Sequence, residues 1–175
     1  MPALYVIRHA EPAVRGVLLG RSDPPLSEVG LRQAAALPSL LPRCAAVYTS
    51  PLQRARQTAN FLSGTTVILS ELAEISYGEW DGLSWTDIER KSPEIAAEKL
   101  KRWRHIVSPG GEPWESFQTR VCRALAVIRS GPFPAAIVAH EAVNAVIMNN
   151  LTEAALESYK QDYCTVKKYN VRSGT

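Results

Sequence analysis

Cysteine is scarce here, with three residues in a chain of 175. Cys44, Cys122 and Cys164 are widely separated, odd in number and never spaced as C-x-x-C. That pattern argues against a disulfide framework and a cysteine-based zinc site, so all three read as small packing residues or incidental thiols. Long apolar runs are missing too: none approaches the roughly 20 residues needed to cross a bilayer. The N-terminus lacks the basic start, long apolar segment and small-residue cleavage site of a signal peptide, which makes the cytoplasm the expected compartment. Nor does one charge dominate. Lys and Arg number 20 against 17 Asp and Glu, a net charge of +3. A nucleic-acid binder would show a stronger basic stripe with interleaved aromatics, so neither nucleic acid nor membrane is an expected partner. The best basic stretch, "KLKRWRHI" from Lys99 to Ile106, reads as a solvated helix face.

What remains is an ordinary globular composition, 46% hydrophobic, long enough for one domain that buries about 70% of its unfolded surface. Short aliphatic or β-branched runs alternate with helical patterns, which predicts α/β organisation around a mostly parallel sheet. The predicted strands are Leu4–Ile7, Ala46–Thr49, Val67–Leu69, Ala135–Ala139 and Cys164–Val171, the last carrying Lys167 and Lys168 as an edge strand does. Ser27 suits the N-cap of a helix running towards Pro38, and Ser50 with Pro51 suits the start of another. A third helix is predicted from Trp114 to Ser130, with Trp114, Phe117, Val121, Leu125 and Ile128 on one face and Gly131 ending it. The polar stretch 84–113, interrupted by Pro93, reads as helical excursions over one end of the sheet, a candidate lid.

Ligands of open α/β sheets bind beyond the carboxyl ends of the strands. Three predicted strands end there in reactive residues: the first in Arg8 and His9, the second in Ser50 and a helix bearing Arg54, the fourth in His140. Were these strands parallel neighbours, two histidines, two arginines and a helix N-terminus would converge. Guanidinium forks match phosphate oxygens, helix amides attract anions, and a neutral imidazole can attack phosphorus. Such a reaction also needs a proton donor for the departing oxygen, and Glu71 and Glu74 follow the third strand. Competing phosphate chemistries find no footing. There is no G-x-x-x-x-G-K-[ST] loop, Cys122 and Arg129 are too far apart for a C-x5-R loop, and no His, Asp and Glu cluster has metal-ligand spacing, so neither metal nor cofactor is expected.

The ordered segments "VIRHAEP", "LGRSDPPLSEVGLRQA", "YTSPLQRARQTA", "LAEISYGEWDGLSW", "GGEPWESFQTRV" and "AIVAHEAV" resemble the histidine phosphatase superfamily, the phosphoglycerate mutase-like family, along nearly the whole chain. The resemblance implies a three-layer α/β/α sandwich with a mostly parallel central sheet and a phosphohistidine mechanism. It places His9 as nucleophile, Arg8 and Arg54 as phosphate ligands and His140 as a stabiliser of the transferring phosphoryl group. It puts Glu74, rather than Glu71, at the position of the general acid, leaving Glu71 as a surface residue. The short chain and the "SYGEWDG" and "GGEPWESF" segments are more similar to the small-phosphatase branch that includes α-ribazole phosphatases. The implied partner is a small phosphorylated metabolite, with a homodimer left open.

Three positions depart from the family pattern. Ala10 stands where Gly usually follows R-H, Glu141 where Gly commonly follows the second histidine, and Ala145 where an Arg is often found. A carboxylate at Glu141 is expected to repel substrate unless it points away. Two other readings stay open at this stage: a mutase that returns the phosphoryl group to bound product, and a non-catalytic binder of phosphorylated ligands.

Overall fold

The computed structural model describes residues 2–156 and 159–171. Its core is one sheet of five strands: β1 (Ala3–Arg8), β2 (Ala46–Thr49), β3 (Thr65–Ile68), β4 (Ala135–Ala139) and β5 (Val166–Asn170). Their order is β3-β2-β4-β1-β5, parallel except for β5, which runs antiparallel along β1. The central strand β4, "AAIVA", is buried at every residue, as expected of a parallel strand covered on both faces. The edge strands β3 and β5 are partly exposed, and β5 carries Lys167 and Lys168, which discourage pairing with another chain.

The period-two alternation of the strands divides the core. Leu4, Val6, Tyr48, Ile137 and Ala139 face α5 (Trp114–Arg129) and α6 (Glu141–Thr152). Tyr5, Ile7, Val47, Ala136 and Val138 face α1 (Glu28–Ala36) and α2 (Gln53–Ala59). The result is the expected three-layer α/β/α sandwich. Ser27 caps α1 by accepting from the Gly30 N–H at 2.9 Å. Along α5, Phe117, Val121, Leu125 and Ile128 form the buried stripe read from their spacing.

Several boundaries differ from the sequence reading. β3 starts at Thr65 rather than Val67, and β5 is confined to Val166–Asn170 instead of Cys164–Val171. Cys164 adopts φ +59° and donates its N–H towards Arg8 O and His9 O, which takes it out of the ladder. The second helix starts at Gln53, capped by Leu52, because Ser50 and Pro51 are still in the turn after β2.

Within the excursion, α3 (Trp85–Lys91) and α4 (Pro93–Lys101) pack on a small core of Trp80, Ile88 and Ala96. The basic stretch there is not a solvated helix face. Lys99 is buried, its Nζ donating to Trp103 O at 2.9 Å and Ile106 O at 2.6 Å, and the chain after Lys101 leaves the helix.

The base of this excursion is pinned where residues 76–79 meet 108–112, through Glu79 N–H to Pro109 O and Glu112 N–H to Ser76 O, both 2.9 Å. Gly78 sits at this crossing with φ +56°, and a Cβ there would collide with the backbone of Pro109, Gly110 and Gly111. Gly78→Ala is therefore expected to lower unfolding stability by about 2–3 kcal/mol. Urea denaturation should show it, and an unchanged midpoint would contradict this account of the crossing.

Candidate active site

Parallel pairing of β1 with β4 sets Arg8 opposite Ala139. The next residues, His9 and His140, therefore leave the sheet side by side, their ring centroids 5.1 Å apart. The His9 N–H continues the ladder to Ala139 O at 2.9 Å. At the side chain, His9 Nδ1–H donates to Ala10 O at 2.8 Å, which fixes the tautomer and leaves the lone pair on Nε2. Burial, reinforced by Arg54 and Arg8, lowers the His9 pKa to about 3. Burial, followed by His9 and Arg54, also holds His140 well below its ordinary value. Both imidazoles are neutral near pH 7.

Two guanidiniums flank them. Arg8 Nη1 donates to Gln161 O at 2.7 Å, and the group lies 4.2 Å from the ring centre of Tyr163. Arg54, fully buried on α2, donates to Ser22 O at 2.7 Å and to Leu19 O and Gly20 O at 3.1 Å. Those carbonyls belong to a loop that Asp81 holds by accepting from the N–H groups of Gly20, Arg21 and Ser22. Among the described residues, the buried side-chain nitrogens without a hydrogen-bond partner are Arg8 Nε, Arg54 Nε and His140 Nδ1. Buried donors are rarely left unpaired, and three nitrogens on three adjoining groups could together donate to an oxygen-rich anion.

Glu74 completes the set. Its carboxylate accepts from Ile75 N–H at 2.9 Å and Ala142 N–H at 3.4 Å, the second an amide of the first turn of α6. Burial raises its pKa, against the opposing pull of those amides and Arg54. The backbone that delivers it is gripped by Arg120 of α5, which donates to Glu71 O and Ala73 O at 2.6 Å and to Glu74 O at 3.0 Å. Arg120 is itself anchored to Glu112 at 2.7 Å.

Arg8, His9 and Glu74 line one cavity of about 440 Å³, with His140 and Arg54 buried beside it. The structure thus brings together all five residues singled out from the sequence. Glu71 stands outside the cavity, its carboxylate accepting from Ser70 Oγ at 3.0 Å. The helix N-terminus expected here is not that of α2, whose first N–H donates to Asp23 at 2.6 Å; it is that of α6. Ser50 has a different task, holding His140 Nε2 at 2.7 Å. Glu141 does not point away but pairs with Arg8 at 2.9 Å.

Sequence reasoning missed Ser50, Asp81, Arg120, Gln161 and Tyr163 as supports of the site. Asp81 and Arg120 lie inside the quoted "EWDG" and "FQTRV" segments, whereas Gln161 and Tyr163 carry no local signal. It also missed the aromatic wall, to which Tyr77, Trp103, Trp114 and Tyr163 contribute.

The family model for the histidine phosphatase superfamily (branch 1) matches residues 4–175. A bifunctional protein of Mycobacterium tuberculosis is 34% identical over 143 residues, 76% of this chain and 36% of that protein. An adenosylcobalamin/alpha-ribazole phosphatase of Salmonella typhimurium is 35% identical over 128 residues, 69% of this chain and 63% of that protein. The chain thus matches about a third of the mycobacterial relative's length and under two thirds of the other's. The crystal structure of the alpha-ribazole phosphatase from Shigella flexneri superposes with a TM-score of 0.89 at 26% identity, covering 97% of this chain and 91% of that one.

Because the fold lowers the His9 pKa from about 6.5 to about 3, folding favours the neutral ring. The stability this contributes is complete above about pH 6.5 and is lost on acidification towards pH 3, as the unfolded chain takes up the proton that the folded chain declines. Imidazole ¹⁵N spectra should accordingly show His9 as the neutral ring, with its one N–H at Nδ1, down to about pH 4. A titration midpoint near 6.5 would contradict the burial and tautomer described here.

Proposed function

The chain belongs to the histidine phosphatase superfamily, and from that membership we propose that it is a phosphomonoester hydrolase working through a phosphohistidine at His9. The observation that carries the reading is the pair of buried neutral imidazoles set among unpartnered donors of Arg8, Arg54 and His140. Each role in the proposed phosphoryl transfer is assigned to a side chain of this protein.

In the first step the Nε2 lone pair of His9 attacks phosphorus, and the bond from phosphorus to the alcohol oxygen breaks. Arg8 and Arg54 hold the phosphoryl oxygens, where charge spreads in the transition state. Ser50 Oγ accepts from Leu52 N–H, so its own hydrogen can be donated to His140 Nε2. In that tautomer the hydrogen of His140 sits on Nδ1, free to donate to a phosphoryl oxygen. Glu74, whose pKa burial raises, serves as the proton donor to the departing alkoxide. As carboxylate it then takes a proton from water, whose oxygen attacks phosphorus while the P–N bond breaks and the lone pair returns to His9.

The substrate we infer is a small metabolite whose alcohol carries a flat, largely uncharged group. The aromatic and apolar cavity wall, including Leu18, Trp103, Trp114 and Leu156, supports this. An α-ribazole phosphate, in which a planar base is joined to a ribose, suits such a wall, and alpha-ribazole phosphatases stand among the similar proteins. A cytoplasmic setting belongs to the same reading and is supported by Cys44, Cys122 and Cys164 being free thiols.

Hydrolysis of p-nitrophenyl phosphate and phenyl phosphate, with chelator present, tests the reading. His9→Ala should lose more than about 10³-fold in kcat with both. Glu74→Gln should lose about 10²–10⁴-fold with phenyl phosphate, whose leaving oxygen needs the proton, and far less with p-nitrophenyl phosphate. Activity surviving in His9→Ala, or an equal loss in Glu74→Gln with both esters, would overturn these assignments.

A further inference from the structure

Resting on the hydrolase reading, we propose that Glu141 is a resident counter-anion that shares Arg8 with the phosphoryl group and so sets how weakly the site holds phosphate. Each phosphate-facing arginine has a carboxylate near it. Asp23 lies 3.8 Å from Arg54 but is committed to the first turn of α2 through the Gln53 N–H. Glu141 is placed differently. Its Oε2 stands 2.9 Å from Arg8 Nη1, and it lines the cavity with its side chain 41% exposed. Its second oxygen makes a long contact, 3.4 Å, with Gln161 N–H.

Arg8 does not need Glu141 for its placement. Gln161 O already receives Nη1 at 2.7 Å, and Tyr163 supports the face of the guanidinium. Gln161 is fixed independently, its Nε2 donating to Val6 O and Thr165 O at 3.0 Å and its Oε1 accepting from Asn144 and Tyr159. What Glu141 adds is charge. Among the described residues, the other charged groups on the cavity wall are Glu74, Arg15, paired with Glu11 at 2.6 Å, and Arg104, which lies near Trp114. Glu74 also acts on Arg8, but from a buried position held by the Ile75 and Ala142 N–H groups, whereas Glu141 touches the guanidinium directly. Glu141 therefore offsets the guanidinium before substrate arrives and repels the phosphoryl group afterwards. Weak retention favours release of inorganic phosphate once water has hydrolysed phospho-His9.

Glu141→Gln keeps the shape and removes the charge. Calorimetric titration with inorganic phosphate should give about tenfold tighter binding in the variant, about 1.4 kcal/mol, the size of one close charge in a half-solvated site. The KM for p-nitrophenyl phosphate and the inhibition constant of phosphate should fall together. Unchanged or weaker phosphate binding would overturn the proposal, weaker binding marking Glu141 as a residue that positions Arg8. The binding constant does not depend on turnover. Tighter binding in a chain that hydrolyses nothing would sink the hydrolase reading and leave this one standing.

Discussion

Parallel pairing of β1 with β4 in one register is the constraint on which the site depends. It aligns Arg8 with Ala139 and makes His9 and His140 emerge together at the same sheet edge. A one-residue slip would turn Ile7 and Val138 towards the opposite helical layer and part the two rings. The same apolar alternation that fills the two half-cores therefore specifies where the imidazoles lie. Packing and chemistry are one requirement here, met by Leu4 to Ile7 and Ala135 to Ala139.

Desolvation then does the electrostatic work. The layers close over the strand ends, and burial is the leading cause of the shifts at His9, His140 and Glu74. It pushes histidine towards the base and carboxylate towards the acid, so that the two kinds of group titrate in opposite directions within a single enclosure. Around them stands a framework of groups that hold position rather than react. Arg120 grips the strand of chain before Glu74, Asp81 shapes the loop that receives Arg54, Ser50 orients His140, and Cys164 closes the last carbonyls of β1 from a left-handed conformation. These supports come from distant parts of the chain, so the site is assembled only once the sheet and both helical layers are in place.

Much of this was legible from residue order alone. The strands Ala46–Thr49 and Ala135–Ala139 stand where their apolar runs ended, because buried parallel strands have no competing pattern. Arg8, His9, Arg54, Glu74 and His140 were identified because each follows a strand or sits in a short local motif. What escaped depends on long-range contact. Ser50 looks like a helix cap in sequence, yet its hydroxyl is held by a histidine 90 residues away. Lys99 looks like part of a solvated basic face, but two backbone carbonyls draw its ammonium inwards. Gln161 and Tyr163 lie in a segment with no periodicity, and only the antiparallel return of β5 beside β1 brings them to Arg8.

The central proposal is covalent, that the phosphoryl group passes through His9 Nε2. Rapid quenching in base after mixing with a ³²P-labelled phosphomonoester, followed by peptide mapping, tests it most directly. The account predicts an acid-labile, base-stable phosphoryl group on the peptide that contains His9. A label on another residue, or turnover with no trapped phosphoenzyme under conditions that slow its hydrolysis, would contradict it.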